Sequence, residues 1–241
     1  MNLMKIKLLS TLLAILSCTM SFAQFKQEKN QTTKWDSFYI QYNSIVANYQ
    51  TKKADELALK GLKNYSAKKY IEECLNDKMS GMTVGYSHIT RVFPIWLEYG
   101  GALQYGWYSN SRIYSSTSAL IVKAKLSMLT LTAPVNVLYN YQIPNSNISL
   151  EPKVGLYFRY NIYGQINAEE FAFDTTDKRY NNIFDKNYYG KHIQIGWNAG
   201  FNIVYKRIFI GISYCNDISK IYDGYADVKL NQTSVTAGFR F

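Results

Sequence analysis

The segment ISLEPKVGLYFRYNIYG, residues 148–164, alternates with a period of two. Successive side chains of an extended strand point to opposite faces, so Ile148, Leu150, Val154, Leu156, Phe158, Tyr160 and Ile162 share one face. Ser149, Glu151, Lys153, Gly155, Tyr157, Arg159 and Asn161 share the other. A face carrying those charges cannot form the core of a soluble sandwich. The apolar face is long enough to cross a bilayer, which takes about 9–11 tilted residues. The pattern suits a closed sheet whose apolar side meets lipid and whose polar side lines an interior. A two-layer soluble sheet, the competing arrangement, would have to bring all such apolar faces together.

The alternation returns in seven further segments. Phe38, Ile40 and Tyr42 mark the first, Met82, Val84 and Tyr86 the second, and Leu97, Tyr99, Leu103 and Tyr105 the third. Leu131, Val135 and Val137 follow, then Ile193, Ile195 and Trp197 after the segment at 148–164, then Ile208, Ile210 and Ile212. The last segment carries Val235, Ala237, Phe239 and Phe241. The total is eight, an even number as closure of an outer-membrane sheet requires. The links near Arg91–Pro94, Gln142–Asn147 and Lys206–Arg207 are short, whereas Asn48–Ser80, Ser109–Val122, Gln165–Lys191 and Asn216–Ala226 are long. Outer-membrane barrels show this alternation of short periplasmic turns and long outer loops. The expected fold is all-β, an eight-stranded antiparallel up-and-down transmembrane β-barrel over residues 38–241. Its first long loop is expected to be partly helical, because Ala54, Leu57, Ala58, Gly61, Leu62 and Tyr65 recur at helical spacing.

Five charges fall on inward faces: Glu98, Glu151, Lys153, Arg159 and Arg240. An eight-stranded interior is just wide enough for side chains to fill, and unpaired charge there is costly. The expectation is a paired network that plugs the barrel. An ion-conducting constriction built from the same residues is the alternative.

The N-terminus combines Lys5 and Lys7, an apolar run from Leu8 to Leu16 and the small-residue site Ser21-Phe22-Ala23. Those features describe a secretory signal peptide over residues 1–23, followed by a periplasmic lead over 24–37. A lipid anchor at Cys18 is the competing reading, and the bulky Leu16 argues against it. Loss of Lys5 and Lys7 lowers the net charge from +10 to +8. An exported basic chain seldom meets nucleic acid, so the phosphates of lipopolysaccharide and other outer-membrane lipids are the nearer partners. A merely solvated lysine-rich surface would account for the charge equally simply. The 22 tyrosines suit a membrane interface, where the ring sits in lipid and the hydroxyl in water.

Cys74 and Cys215 survive processing. Closure of the barrel would bring the first and fourth long loops side by side, so a disulfide between the two is one reading. Two unpaired thiols, with Cys215 as an inward filler, is the other. The only histidines are His88 and His192. Ser87 and His88 point to opposite faces of a strand, so they do not form the nucleophile–base arrangement that a lipid-modifying barrel enzyme would need. No spacing of His, Cys and Asp suggests a metal site, and no cofactor fingerprint is present.

The ordered stretches QYNSIV, GMTVGYSH, PIWLEYGGALQYG, TAPVNVLYNYQIPNSNISLEPKVGLYFRYNIYG, IQIGWNAGFNI, IGISYCND and the final AGFRF give the chain a family likeness. It resembles the small outer-membrane β-barrel proteins common in Bacteroidetes, often labelled porin-like. The resemblance implies a monomeric integral barrel of the cell outer membrane. It also implies an assembly signal in the last strand, Phe239 and Phe241, read by the outer-membrane insertion machinery. The resemblance supplies location and fold more than function; the plugged interior and the four long loops make a structural, binding or adhesion role at the cell surface the expected function. The label porin-like supplies a small channel or transporter as the alternative, and a barrel enzyme acting on lipid is more remote.

Overall fold

The structure is a computed structural model and describes residues 34–51, 78–92, 94–114, 120–172, 175–185, 190–223 and 226–241. Through them run β1 (Lys34–Thr51), β2 (Met79–Val92), β3 (Ile95–Tyr114), β4 (Leu120–Leu138), β5 (Tyr141–Gln142) and β6 (Ile148–Ala172). β7 (Thr175–Asn182), β8 (Ile193–Tyr205), β9 (Ile208–Asp217), β10 (Tyr222–Asp223) and β11 (Ala226–Arg240) complete the order. Among the described residues, eight strands pair antiparallel in the sequence β1, β2, β3, β4, β6, β8, β9, β11, and β11 returns to β1. The seam runs from Ser37↔Arg240 to Thr51↔Ala226. Asp36 and Phe241 extend it by exchanging backbone hydrogen bonds of 3.1 and 3.0 Å.

The outward face is apolar around the whole circumference. Ile40, Val84, Leu103, Leu131, Leu156, Ile195, Ile210 and Val235 form its middle band, and Ile212 is 61% exposed. Tyr42, Tyr105, Tyr160, Trp197 and Tyr214 ring the band on the long-loop side, while Tyr86, Tyr99, Tyr139, Tyr205 and Phe241 ring it on the turn side. Water would not tolerate so continuous an apolar surface. A closed sheet wearing an apolar band between two aromatic girdles is an integral outer-membrane β-barrel. The turn end therefore faces the periplasm and the long-loop end the cell exterior.

Several expected boundaries shift. β1 begins at Lys34, not Phe38, because Lys34↔Thr90 to Ser37↔Ser87 already pair with β2; polar side chains at this end conceal the strand. The second and third long links are largely sheet. β3 and β4 stay paired from Ser109↔Lys125 to Tyr114↔Leu120, and β6 and β7 form a hairpin from Gln165↔Asn182 to Ala172↔Thr175. These ribbons stand beyond the girdle, where neither face needs to be apolar, so no clean alternation announces them. β6 also carries a bulge opposite Leu129/Thr130, and both Ile162 and Tyr163 consequently face outward. The signal peptide, residues 24–33 of the lead, the expected helix at Ala54–Tyr65 and Cys74 lie outside the described residues.

A closed hydrogen-bonded cylinder resists detergent until heated. The refolded mature chain is expected to migrate faster on gels when unheated than when boiled, and a chain that stays soluble and monomeric without detergent would contradict the lipid-facing band.

Candidate functional site

The inward face of β6 supplies Glu151, Lys153, Tyr157 and Arg159, and three other strands supply their partners. Near the periplasmic end Arg240 on β11 grips Glu151 with two parallel bonds, Nη1 to Oε1 at 2.7 Å and Nη2 to Oε2 at 2.5 Å. Asn140 donates to the same carboxylate at 2.6 Å. The Arg240 guanidinium also lies 5.4 Å from the Trp35 ring and 5.3 Å from the Phe209 ring. Further in, Glu98 on β3 accepts from Lys153 at 3.1 Å, Asn136 at 2.8 Å and Ser87 at 3.1 Å.

The third pair was not expected from the sequence. Asp217, at the outer end of β9, receives Arg159 Nη1 at 3.2 Å, Gln194 at 2.5 Å, the Leu230 backbone N–H at 3.1 Å and the Tyr157 hydroxyl. The sequence pattern puts Asp217 at the start of the fourth long link, yet in the structure it continues the inward set Ser213, Cys215 on β9. The charge sum held the clue, because three inward cations stood against two carboxylates. Desolvating a charge costs more than a bare ion pair returns unless the remaining lone pairs are also satisfied. Each carboxylate here collects at least three donors, as charge-assisted bonds in a dry interior require. Tyr157 reaches Asp217 because Gly196 lies beside it; a Cβ at position 196 would sit 2.2 Å from the tyrosine ring.

Both ends of the lumen are packed. On the exterior side inward-facing Ile45, Leu126, Met128, Val228 and Leu230 cluster with Ile183, Phe184, Ile221 and Tyr222 from the loops. Backbone bonds hold those loops down: Ile183 N–H donates to Gly164 at 2.8 Å, and Ile221 N–H to Val228 at 2.8 Å. Gly164 leaves the space that the loop fills, since a Cβ there would come within 2.6 Å of the Phe184 ring. On the periplasmic side Trp35 stacks on Trp96 at 4.3 Å beside Ile89 and Leu138. Between the two layers lies a cavity of about 70 Å³ lined by Glu98, Lys153, Arg159, Asn136 and Thr132, room for a few waters. Asn136 Oδ1, Thr132 Oγ1 and Arg159 Nε, buried there without protein partners, suit such waters.

The remaining candidates are apart from this network. Cys215 is a free thiol lining the central cavity, while Cys74 lies outside the described residues. Ser87 turns inward to Glu98, and His88 turns outward to Asp36 at 2.9 Å. His192 bonds the Asn161 carbonyl at 2.7 Å and stacks on Tyr160. Neither histidine meets a serine or threonine hydroxyl among the described residues, nor do three metal-ligating side chains converge there. Phe239 and Phe241 face lipid with stacked rings 6.4 Å apart.

No protein-family model matches the sequence, and no curated protein does. Among solved structures, the chain is similar to Ail, the attachment invasion locus protein of Yersinia pestis, crystallised with the heparin analogue sucrose octasulfate. The identity is 15%, with 87% of this chain and 100% of that chain covered and a TM-score of 0.41. Neisserial surface protein A is similar at 14% identity over 85% of this chain and 97% of that one, with a TM-score of 0.36. The outer membrane protease OmpT of Escherichia coli is similar at 9% identity over 90% and 99%, with a TM-score of 0.33. At these values the chain is read from its own seam, lumen and mouths, and nothing in the matches supports the narrower likeness to Bacteroidetes barrels.

Removing one member of a buried pair strands the other. Asp217→Ala is expected to lower the unfolding free energy by about 3–5 kcal/mol. Replacing Arg159 and Asp217 together by Met should recover most of that loss, as read from urea unfolding in lipid vesicles.

Proposed function

We propose that the protein is a closed, monomeric outer-membrane barrel that acts through the parts it raises above the membrane, in a structural, binding or adhesion role. The observation that carries this reading is the lumen: among the described residues, two packed layers and three ion pairs fill it. Function is then left to the surface-exposed ribbons and loops. The net charge of +8 after processing favours an anionic partner there, with lipopolysaccharide phosphate the most accessible source. A channel would need the lumen to open, and a central cavity of about 70 Å³ does not amount to one.

Planar-bilayer recording of the refolded barrel tests the reading. No unit conductance is expected, and reproducible ohmic steps would favour the channel instead. A binding screen against lipopolysaccharide and glycans identifies the surface partner. The insertion machinery is proposed to read the last strand through Phe239 and Phe241, so Phe241→Ala should lower the yield of inserted barrel several-fold while leaving export unchanged, as measured by fractionating membranes.

A further inference from the structure

The periplasmic end holds a second, larger space. A cavity of about 440 Å³ opens between the turns, lined by Lys34, Asn147, Ser149, Lys206, Arg207 and Arg240. Among the described residues no Asp or Glu side chain lines it, and Glu151 beneath it is already occupied by Arg240 and Asn140. Lys34 and Arg207 form no ion pair among the described residues. Lys206 has a positive φ of 54° in the two-residue turn, and its ammonium sits 5.4 Å from the Tyr205 ring, so it stays at the rim. Two polar groups in the wall also have no hydrogen-bond partner among the described residues, and one of them, Arg240 Nε, is buried. Ser149 is 7% exposed and its hydroxyl makes no hydrogen bond among the described residues. Arg240 is 5% exposed and its Nε has no acceptor.

Cations at a rim are ordinary; cations around a concave wall that also holds an unpartnered buried guanidinium nitrogen, Arg240 Nε, form a site. We propose that the periplasmic mouth binds a multiply charged phosphate-bearing anion, held by Lys34, Lys206 and Arg207 and by a hydrogen bond from Ser149. Several cations and a hydroxyl donor match a group that offers several acceptor oxygens and more than one negative charge. Two sources share this chemistry. One is the headgroup of an anionic phospholipid in the inner leaflet, which reaches the rim beside Tyr205 and Phe241. The other is a soluble polyphosphate in the periplasm. The site is separate from the exterior surface proposed above and stands or falls without it.

Two probes separate the sources. Inorganic pyrophosphate is titrated calorimetrically into the barrel in phosphatidylcholine nanodiscs, and native mass spectrometry measures retention of cardiolipin, whose headgroup carries two phosphates, from mixed phosphatidylcholine and cardiolipin vesicles. Saturable pyrophosphate binding indicates a soluble ligand, and selective lipid retention without it indicates a headgroup. In either case Lys34→Gln combined with Arg207→Gln should weaken binding at least about tenfold, the scale of losing charge-assisted bonds. Ser149→Ala should weaken it less, and Lys220→Gln at the opposite end should leave it unchanged. Heat-modifiable migration shows that each variant is folded. Absence of binding by both probes, or undiminished binding in the double variant, would overturn the proposal.

Discussion

Hydrocarbon offers nothing to a backbone N–H or C=O that has lost its partner, so a sheet that enters a bilayer must close on itself. In this protein closure rests on the pairing of β11 with β1, carried to its last step by the mutual bonds of Asp36 and Phe241. The other features of the barrel follow from it. Closure forces every strand to present one face to lipid and the other to a confined interior. The apolar band and girdles are the first consequence, and the polar lumen is the second.

Eight strands make that lumen narrow, and narrowness decides its chemistry. There is too little water to solvate single charges, so carboxylates and cations meet one to one across strands, and amides and hydroxyls from Asn136, Asn140, Gln194 and Ser87 complete each pair. Apolar layers above and below exclude further water and strengthen the electrostatics between them. The interior works as a polar core.

The sequence makes the membrane-spanning part legible because lipid enforces alternation on both faces of every strand. Glu98, Glu151, Lys153, Arg159 and Arg240 could be placed inward for that reason, and the structure brings each against a partner. Asp217 escaped because it sits where β9 leaves the band and lipid no longer dictates the outward residues. The plug residues Ile183, Phe184, Ile221 and Tyr222 have no periodicity at all. Their positions depend on the space at Gly164 and on contacts with strands distant in sequence. The paired ribbons of β3 with β4 and of β6 with β7 lie in stretches that the short-long spacing of links assigns to loops, because a sheet beyond the lipid band is under no pressure to alternate. The periplasmic cavity is likewise assembled from four separated segments and has no local motif.

The pairing of Glu151 with Arg240 joins residues 89 positions apart, and it bears on the order in which the barrel is made. Until β11 arrives, Glu151 has no cation, and until β9 arrives neither has Arg159 a carboxylate. A half-built sheet therefore carries bare charges on its concave side, and these must stay wetted while the remaining strands are added. Such long-range pairings also make folding slow. The interior can dry fully only when the final strand is in place, because β11 brings the cation that Glu151 pairs with.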